Sequence, residues 1–278
     1  RCDDADHLVE EVGIVFVENA SMAAGAAFEQ GDFVAALAEA EEEREQHGAD
    51  EQPVAHPRLA APATGKVHMR LDLPRQTDAL WKQLSAKVRN QVRKAEKESL
   101  RYEWGTHARL DDFYAVFSRN MRDLGTPVYS RCLFSAMLEH FADDAELCVV
   151  YAAQQPVAAG IVVHGPGMSQ VPSASSLREF NRSCPNMLLY WQLLARAIER
   201  GQTRFDFGRS TLESNTYRFK QQWGAQPTPA AWQFYVRSGE ALDLRPDQGK
   251  FQLASRLWRQ LPLSFSRWLG PAIIRGIP

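Results

Sequence analysis

Phe205-Asp206-Phe207-Gly208-Arg209-Ser210-Thr211 is the stretch of this 278-residue chain from which the rest can be ordered. Aromatics two apart mark a strand, whose side chains alternate between faces, and the strand then runs into a glycine followed by three polar residues. Strand ends of this composition are where α/β sheets collect ligands. Immediately upstream, Asn186–Arg200 is strongly apolar, with Pro185 suited to a first helical turn and Gly201 to its close, so it reads as a helix. Before it, Glu146–Ala153 and Val157–His164 form a β-hairpin across Gln154-Gln155-Pro156, and Met168–Ser173 extends the meander. Downstream lie a short polar-aromatic segment, Ser214–Trp223, and a last strand, Ala231–Arg237.

The region opens at Lys66, where Val67, Met69 and Leu71 alternate with His68, Arg70 and Asp72 as in a half-buried strand with its polar side outward. One helix is expected from Thr77 or Asp78 to Ser99, its apolar positions Leu80, Leu84, Val88, Val92 and Ala95 stepping by three or four. A short strand at Arg101–Trp104 follows. Two more helices come next, one capped near Asp111 and stopped by Gly125, the other capped by Ser130. The order is that of an α/β protein, a mixed β-sheet flanked by helices.

Apolar residues make up 45% and charged residues 24%, a globular mixture without the apolar run of about 20 residues that a spanning helix needs. The net charge of -2 conceals an asymmetry: residues 1–65 hold 15 acids and 3 Lys or Arg, and the remainder is net +10. An anionic ligand belongs with the basic part. The division expected is an acidic N-terminal remnant and linker (1–65), a catalytic-type domain (66–240) and a basic amphipathic tail (241–278). The opening Arg-Cys-Asp-Asp has no secretory pattern, and the cysteines form no C-x-x-C pair; both point to a cytoplasmic, reducing location.

Lys220, between Phe219 and Trp223, is a candidate for a partly apolar pocket, where an ammonium can neutralise an anion or stabilise an oxyanion. Asp206 and Arg209 are its candidate companions. The bland alternative pairs Asp206 with Arg209 structurally and lets Lys220 snorkel from a surface helix. On the helix before Ser99, Lys82, Arg89 and Arg93 fall near one line, and the two guanidiniums could clamp a diphosphate. A solvated face balanced by Glu96 and Glu98 is the plainer interpretation.

Glu41-Glu42-Glu43 points around a helix rather than converging on a metal. Ser173, Ser175 and Ser176 lack a nucleophile elbow. The seven histidines have no metal-ligand spacing. His164 suits a sheet edge, and Cys184 and Trp191 suit packing. After Asp247 the chain carries Lys250, Arg256, Arg259, Arg267 and Arg275, no acid, and the apolar residues Trp258, Leu261, Leu263, Phe265, Trp268 and Leu269. That amphipath fits a membrane interface, or packing on another unit or partner.

Lys87–Ala95, Gly125–Tyr129, Pro185–Trp191, Phe205–Ser210 and Tyr217–Ala225 together resemble the FemAB-type acyltransferases of the GNAT-like superfamily, in the branch associated with exosortase/PEP-CTERM and exopolysaccharide loci. The resemblance covers about residues 66 to 278. It implies a GNAT-like fold and transfer of an acyl or aminoacyl group to an amine of a cell-envelope or exopolysaccharide-related acceptor, nucleotide- or lipid-linked. No permanently bound cofactor is implied; the donor is a co-substrate, aminoacyl-tRNA or acyl-CoA. By motif match Phe219-Lys220 aligns with the family's Phe-Lys pair, which gives Lys220 a catalytic role; Asp206, in a matching motif position, is expected to be catalytic beside it, Arg209, Tyr217 and Phe219 to bind substrate, and Arg89 or Arg93 to stand for a family arginine on the acceptor's diphosphate. The family carries two tandem units, and 1–65 is too short and acidic for a whole first one. A non-catalytic envelope-associated binding or scaffold protein retaining half a site therefore stands as the alternative.

Overall fold

In a computed structural model the chain is described over residues 66–229 and 249–274. One seven-stranded sheet organises it, in the order β2-β3-β4-β5-β6-β1-β7. The strands are β1 (Lys66–Asp72), β2 (Arg101–Gly105), β3 (Ala145–Ala152), β4 (Gln155–Gly165), β5 (Met168–Ser176), β6 (Arg204–Thr211) and β7 (Gln226–Pro229). All neighbours are antiparallel except β5 and β6. The helices are α1 (Thr77–Gln83), α2 (Ala86–Lys97), α3 (Leu110–Leu124), α4 (Arg131–His140), α5 (Pro185–Glu199), α6 (Asn215–Gln221), α7 (Gly249–Trp258) and α8 (Leu263–Ile274). The sheet is mixed and flanked by helices, as its element order requires.

Two cores follow from the two faces of the sheet. Leu80, Val88, Val92, Leu189, Leu193 and Trp223 pack with Val67, Met69, Phe205 and Phe207 on one face. Phe113, Phe117, Phe134 and Leu138 pack with Leu147, Val149 and Ile161 on the other. Alternation along β3 divides its residues between the cores, which is why that strand is buried almost throughout.

The punctuation residues act as their chemistry demands. Pro185 occupies the first turn of α5, Ser130 Oγ accepts from Leu133 N at the start of α4, and Gly125 (φ 81°) closes α3 in the left-handed region. Other expectations fail. The helix expected from 77 to 99 is two helices, because Leu84 is extended and Ser85 caps a new start with its hydroxyl on Val88 N. Leu84 stays buried in the break, so the three-or-four spacing survives across it and hides it from the sequence. Gln76, not Thr77 or Asp78, precedes α1, and Arg109, after a short 3-10 turn, precedes α3 in place of Asp111. The strand proposed at 231–237 lies outside the described residues, as does 1–65; β7 pairs with β1 instead.

The tail helices dock on α3. Arg267 Nε donates to Ser118 Oγ at 2.8 Å and its guanidinium stands 5.5 Å from the centroid of the Tyr114 ring. Arg122 and Arg259 donate to the carbonyls of Leu261 and Leu124. Gly270 is buried against Val128, where an added Cβ would come within 2.7 Å of a side-chain carbon and 2.8 Å of the backbone nitrogen. Gly270→Ala should therefore lower unfolding stability by about 1–3 kcal/mol, against the gain in helix propensity that alanine ordinarily brings; urea unfolding monitored by tryptophan fluorescence measures the change.

Candidate functional site

β6 carries an extra residue relative to β1. His68 pairs with Arg209 and Arg70 with Asp206, so two steps on β1 answer three on β6. Gly208 supplies the bulge with φ 77°, a conformation open to glycine at no steric cost. There is room for a side chain, with Val171 O 3.5 Å from an ideal Cβ; backbone torsion, not space, requires the glycine.

Asp206 locks this bulge. Its Oδ1 accepts Gly208 N at 2.7 Å, and its Oδ2 accepts His68 Nδ1 at 2.9 Å and Arg70 Nε at 3.3 Å. The residue is 1% exposed. Burial alone would raise its carboxyl pKa, but the bond and charge of His68, the Gly208 amide and the Arg70 charge hold it below the usual carboxylate range. The structural pairing considered for Asp206 with Arg209 is thus replaced by pairing with His68 and Arg70. His68 is also not the outward polar residue of a half-buried strand: it is 3% exposed, since its partner is itself buried.

The bulge presents the carbonyls of Gly208 and Arg209 to Lys220. Lys220 Nζ donates to them at 2.9 and 2.8 Å. It is buried rather than snorkelling, and desolvation pushes its pKa down to about 8 in spite of the Asp206 charge. Helix α6 holds it in place: Ser214 caps the helix on Tyr217 N, and Phe219 packs edge-on against Tyr190, 5.0 Å between centroids. Tyr190 also stacks on Phe207 at 5.6 Å and meets Trp223 at 6.4 Å.

The parallel ladder between β5 and β6 covers only Met168–Gln170 against Arg204–Asp206. β5 runs on to Ser176 along β4, and β6 to Thr211 along β1. Among the described residues, no ladder joins 171–176 with 207–211, so two central strands face each other unpaired beyond Asp206. Buried backbone groups need partners, and such a fork suits an extended, amide-bearing ligand arm. Sequence reasoning found Asp206 and Lys220 and counted Ser210 among the polar residues at the strand end, but missed the Trp223 indole as a polar group: Ser210 Oγ and Trp223 Nε1 are buried with no hydrogen-bond partner among the described residues. Ser210 pairs with Val67, which puts it on the face that Val67, Phe207 and Trp223 share. Nothing in the spacing of Trp223 distinguishes it from an ordinary core position.

Residues 82–221 match the sequence family described as the acetyltransferase (GNAT) domain. The chain belongs to this family. Members of it use acyl-CoA as a co-substrate and hold no permanent cofactor. The fold is similar to that of FemX, at 15% identity and a TM-score of 0.53 over 70% of this chain and 64% of that one. It is likewise similar to L-PGS from Bacillus licheniformis, at 13% identity and a TM-score of 0.51 over 84% and 80%. The GNAT chain thus spans less than two thirds of the length of FemX. No curated protein matches it by sequence.

The remaining site candidates of this GNAT domain divide. Asp206, Arg209 and Lys220 are brought together at the bulge, with Phe219 and Tyr217 on the helix that carries Lys220. Arg89 and Arg93 stand apart on α2. Arg89 Nη1 reaches the carbonyls of Trp81 and Lys82, 3.4 and 3.3 Å away, and Arg93 lies 5.5 Å from the Trp81 ring centroid. Lys82 is on α1, so the single basic line drawn through Lys82, Arg89 and Arg93 is broken at Leu84. Among the described residues no cluster of His, Cys, Asp or Glu could hold a metal ion. No helix among them is long and apolar enough to cross a membrane.

Asp206→Asn should destabilise the fold by about 3–5 kcal/mol at neutral pH, since it leaves buried His68 and half-buried Arg70 facing an uncharged group. The sign of the pH effect follows from a depressed folded-state pKa: the stabilisation is complete above the unfolded value of about 3.9 and is lost as pH falls through the lower folded one. Denaturant titrations across pH 2–7 should show a shallower acid limb in the variant than in the parent chain.

Proposed function

We propose that this GNAT domain transfers an acyl or aminoacyl group to an amine of a cell-envelope or exopolysaccharide-related acceptor, at the cytoplasmic side of the membrane. The observation that carries the proposal is the unpaired fork between β5 and β6, with Lys220 at the bulge that opens it. The motif resemblance to the FemAB-type branch of exosortase/PEP-CTERM loci supports the acceptor class. A thioester or ester donor, acyl-CoA or aminoacyl-tRNA, would lie along the fork with its carbonyl toward Lys220.

The acceptor amine attacks the acyl carbon, its nitrogen forms the new amide, and the bond from that carbon to the donor sulfur or oxygen breaks. The amine proton passes to water or to the departing thiolate or alkoxide. Asp206 is a poor base for this, being saturated by His68, Arg70 and Gly208 N. Its role is to hold the bulge. Lys220 contributes charge: with two N–H groups on carbonyls, the ammonium keeps a fixed position from which it offsets negative charge on the attacked carbonyl oxygen. Arg209, Tyr217 and Phe219 line the approach, and Arg89 and Arg93 bind an acceptor diphosphate if their contacts with α1 release.

The same saturation supports a second proposal, a binding protein without turnover, because the cluster offers no group ready to take a proton. Transfer assays with acyl-CoA and with aminoacyl-tRNA separate the two. An acyltransferase loses about 10²–10³-fold in rate on Lys220→Ala, and its rate falls as pH rises through about 8, where the ammonium is lost. Lys220→Arg, charged throughout this range, flattens that alkaline limb. Donor binding by calorimetry with no transfer at any pH establishes the binding protein instead.

A further inference from the structure

The two tail helices turn an apolar face to solvent. Ten large hydrophobic residues are exposed among the described residues, and the three most exposed are Trp268 at 72% and Leu253 and Leu257 at 59%. Leu253 and Leu257 are one turn apart on α7; Phe265 and Trp268 are three apart on α8, their rings 5.5 Å centroid to centroid. This exposure does not come from a loosely placed tail. Trp258, Ser266 and Gly270 face the domain, and the bonds of Arg267 to Ser118, Arg122 to Leu261 and Arg259 to Leu124 set the orientation. With that side fixed, the opposite arc of each helix carries the leucines and the Phe–Trp pair outward. Leu124, whose carbonyl accepts from Arg259 at the end of α3, is itself 41% exposed.

Charge selects the occupant. From Gly249 to Ile274 there is no Asp or Glu, while Arg256 and Arg259 are exposed beside Leu253 and Leu257. An apolar face with a cationic fringe and an outward tryptophan matches the boundary between acyl chains and anionic headgroups, where indole rings settle and arginines meet phosphate. We propose that α7 and α8 form a docking surface for an anionic lipid bilayer, seating the domain on the membrane through Leu253, Leu257, Phe265 and Trp268. This rests on the tail alone and stands or falls separately from the acyl-transfer proposal.

The test is sedimentation of the full chain with vesicles of phosphatidylcholine and phosphatidylglycerol (3:1) and of phosphatidylcholine alone. Expected are binding to the anionic vesicles at least tenfold tighter than to the neutral ones, weakening in 0.5 M salt, and quenching of tryptophan fluorescence by brominated lipid. Leu253→Ser/Leu257→Ser and Phe265→Ser/Trp268→Ser should each reduce binding at least tenfold with an unchanged circular dichroism spectrum, whereas Leu212→Ser, an exposed leucine elsewhere, should bind like the parent. Absence of binding to anionic vesicles overturns the proposal, as does equal binding by the tail variants. A lipid-free dimer that the same substitutions dissociate, with no vesicle binding, assigns the face to a second copy of the chain and likewise overturns it.

Discussion

A buried carboxylate with three donors governs this molecule. Asp206 ties β6 to β1 through His68 and Arg70 and folds back on its own strand through the Gly208 amide. A charge so far from water is tolerable only when paired and hydrogen-bonded, so strand register, bulge and ion pair are set together. Without the bulge, the carbonyls of Gly208 and Arg209 would point along a regular ladder. With it, they meet Lys220, and a short helix of seven residues gains a fixed seat at the end of the sheet.

The fork between β5 and β6 follows from the same place. Parallel pairing persists up to Asp206 and stops where the bulge begins. A sheet that is continuous at one end and open at the other offers unpaired backbone in its middle, flanked by a desolvated ammonium. That combination suits chemistry on an acyl carbonyl, where a ligand arm must be held extended and a developing oxyanion must be offset. The buried Ser210 and Trp223 polar groups, without a partner among the described residues, belong to the same region and add to its hydrogen-bonding capacity.

Much of the fold was legible because its signals are local. Pro185, Gly125, Gly201 and Ser130 act at the boundaries where their chemistry places them, and the β3–β4–β5 meander follows from adjacent strands with short turns. The break at Leu84 was not legible, since a buried leucine in an extended conformation keeps the spacing of a continuous helix. Nor was the burial of His68: alternation assigns it to the polar side, and only the arrival of Asp206 from 138 residues away makes that side interior. The basic helix illustrates the converse, because Arg89 and Arg93 share a face as expected yet turn toward α1, where they meet the carbonyls of Trp81 and Lys82 and the Trp81 ring.

By itself the sequence determined most of the strands and helices, that they alternate as in a mixed α/β sheet, and that Asp206 and Lys220 belong to its most chemically loaded stretch; these are properties of neighbours along the chain. Tertiary structure alone decided what those two residues touch. Whether a carboxylate serves as base or brace, and whether an ammonium meets water or two carbonyls, depends on desolvation and on partners brought from distant strands, and neither is encoded in spacing.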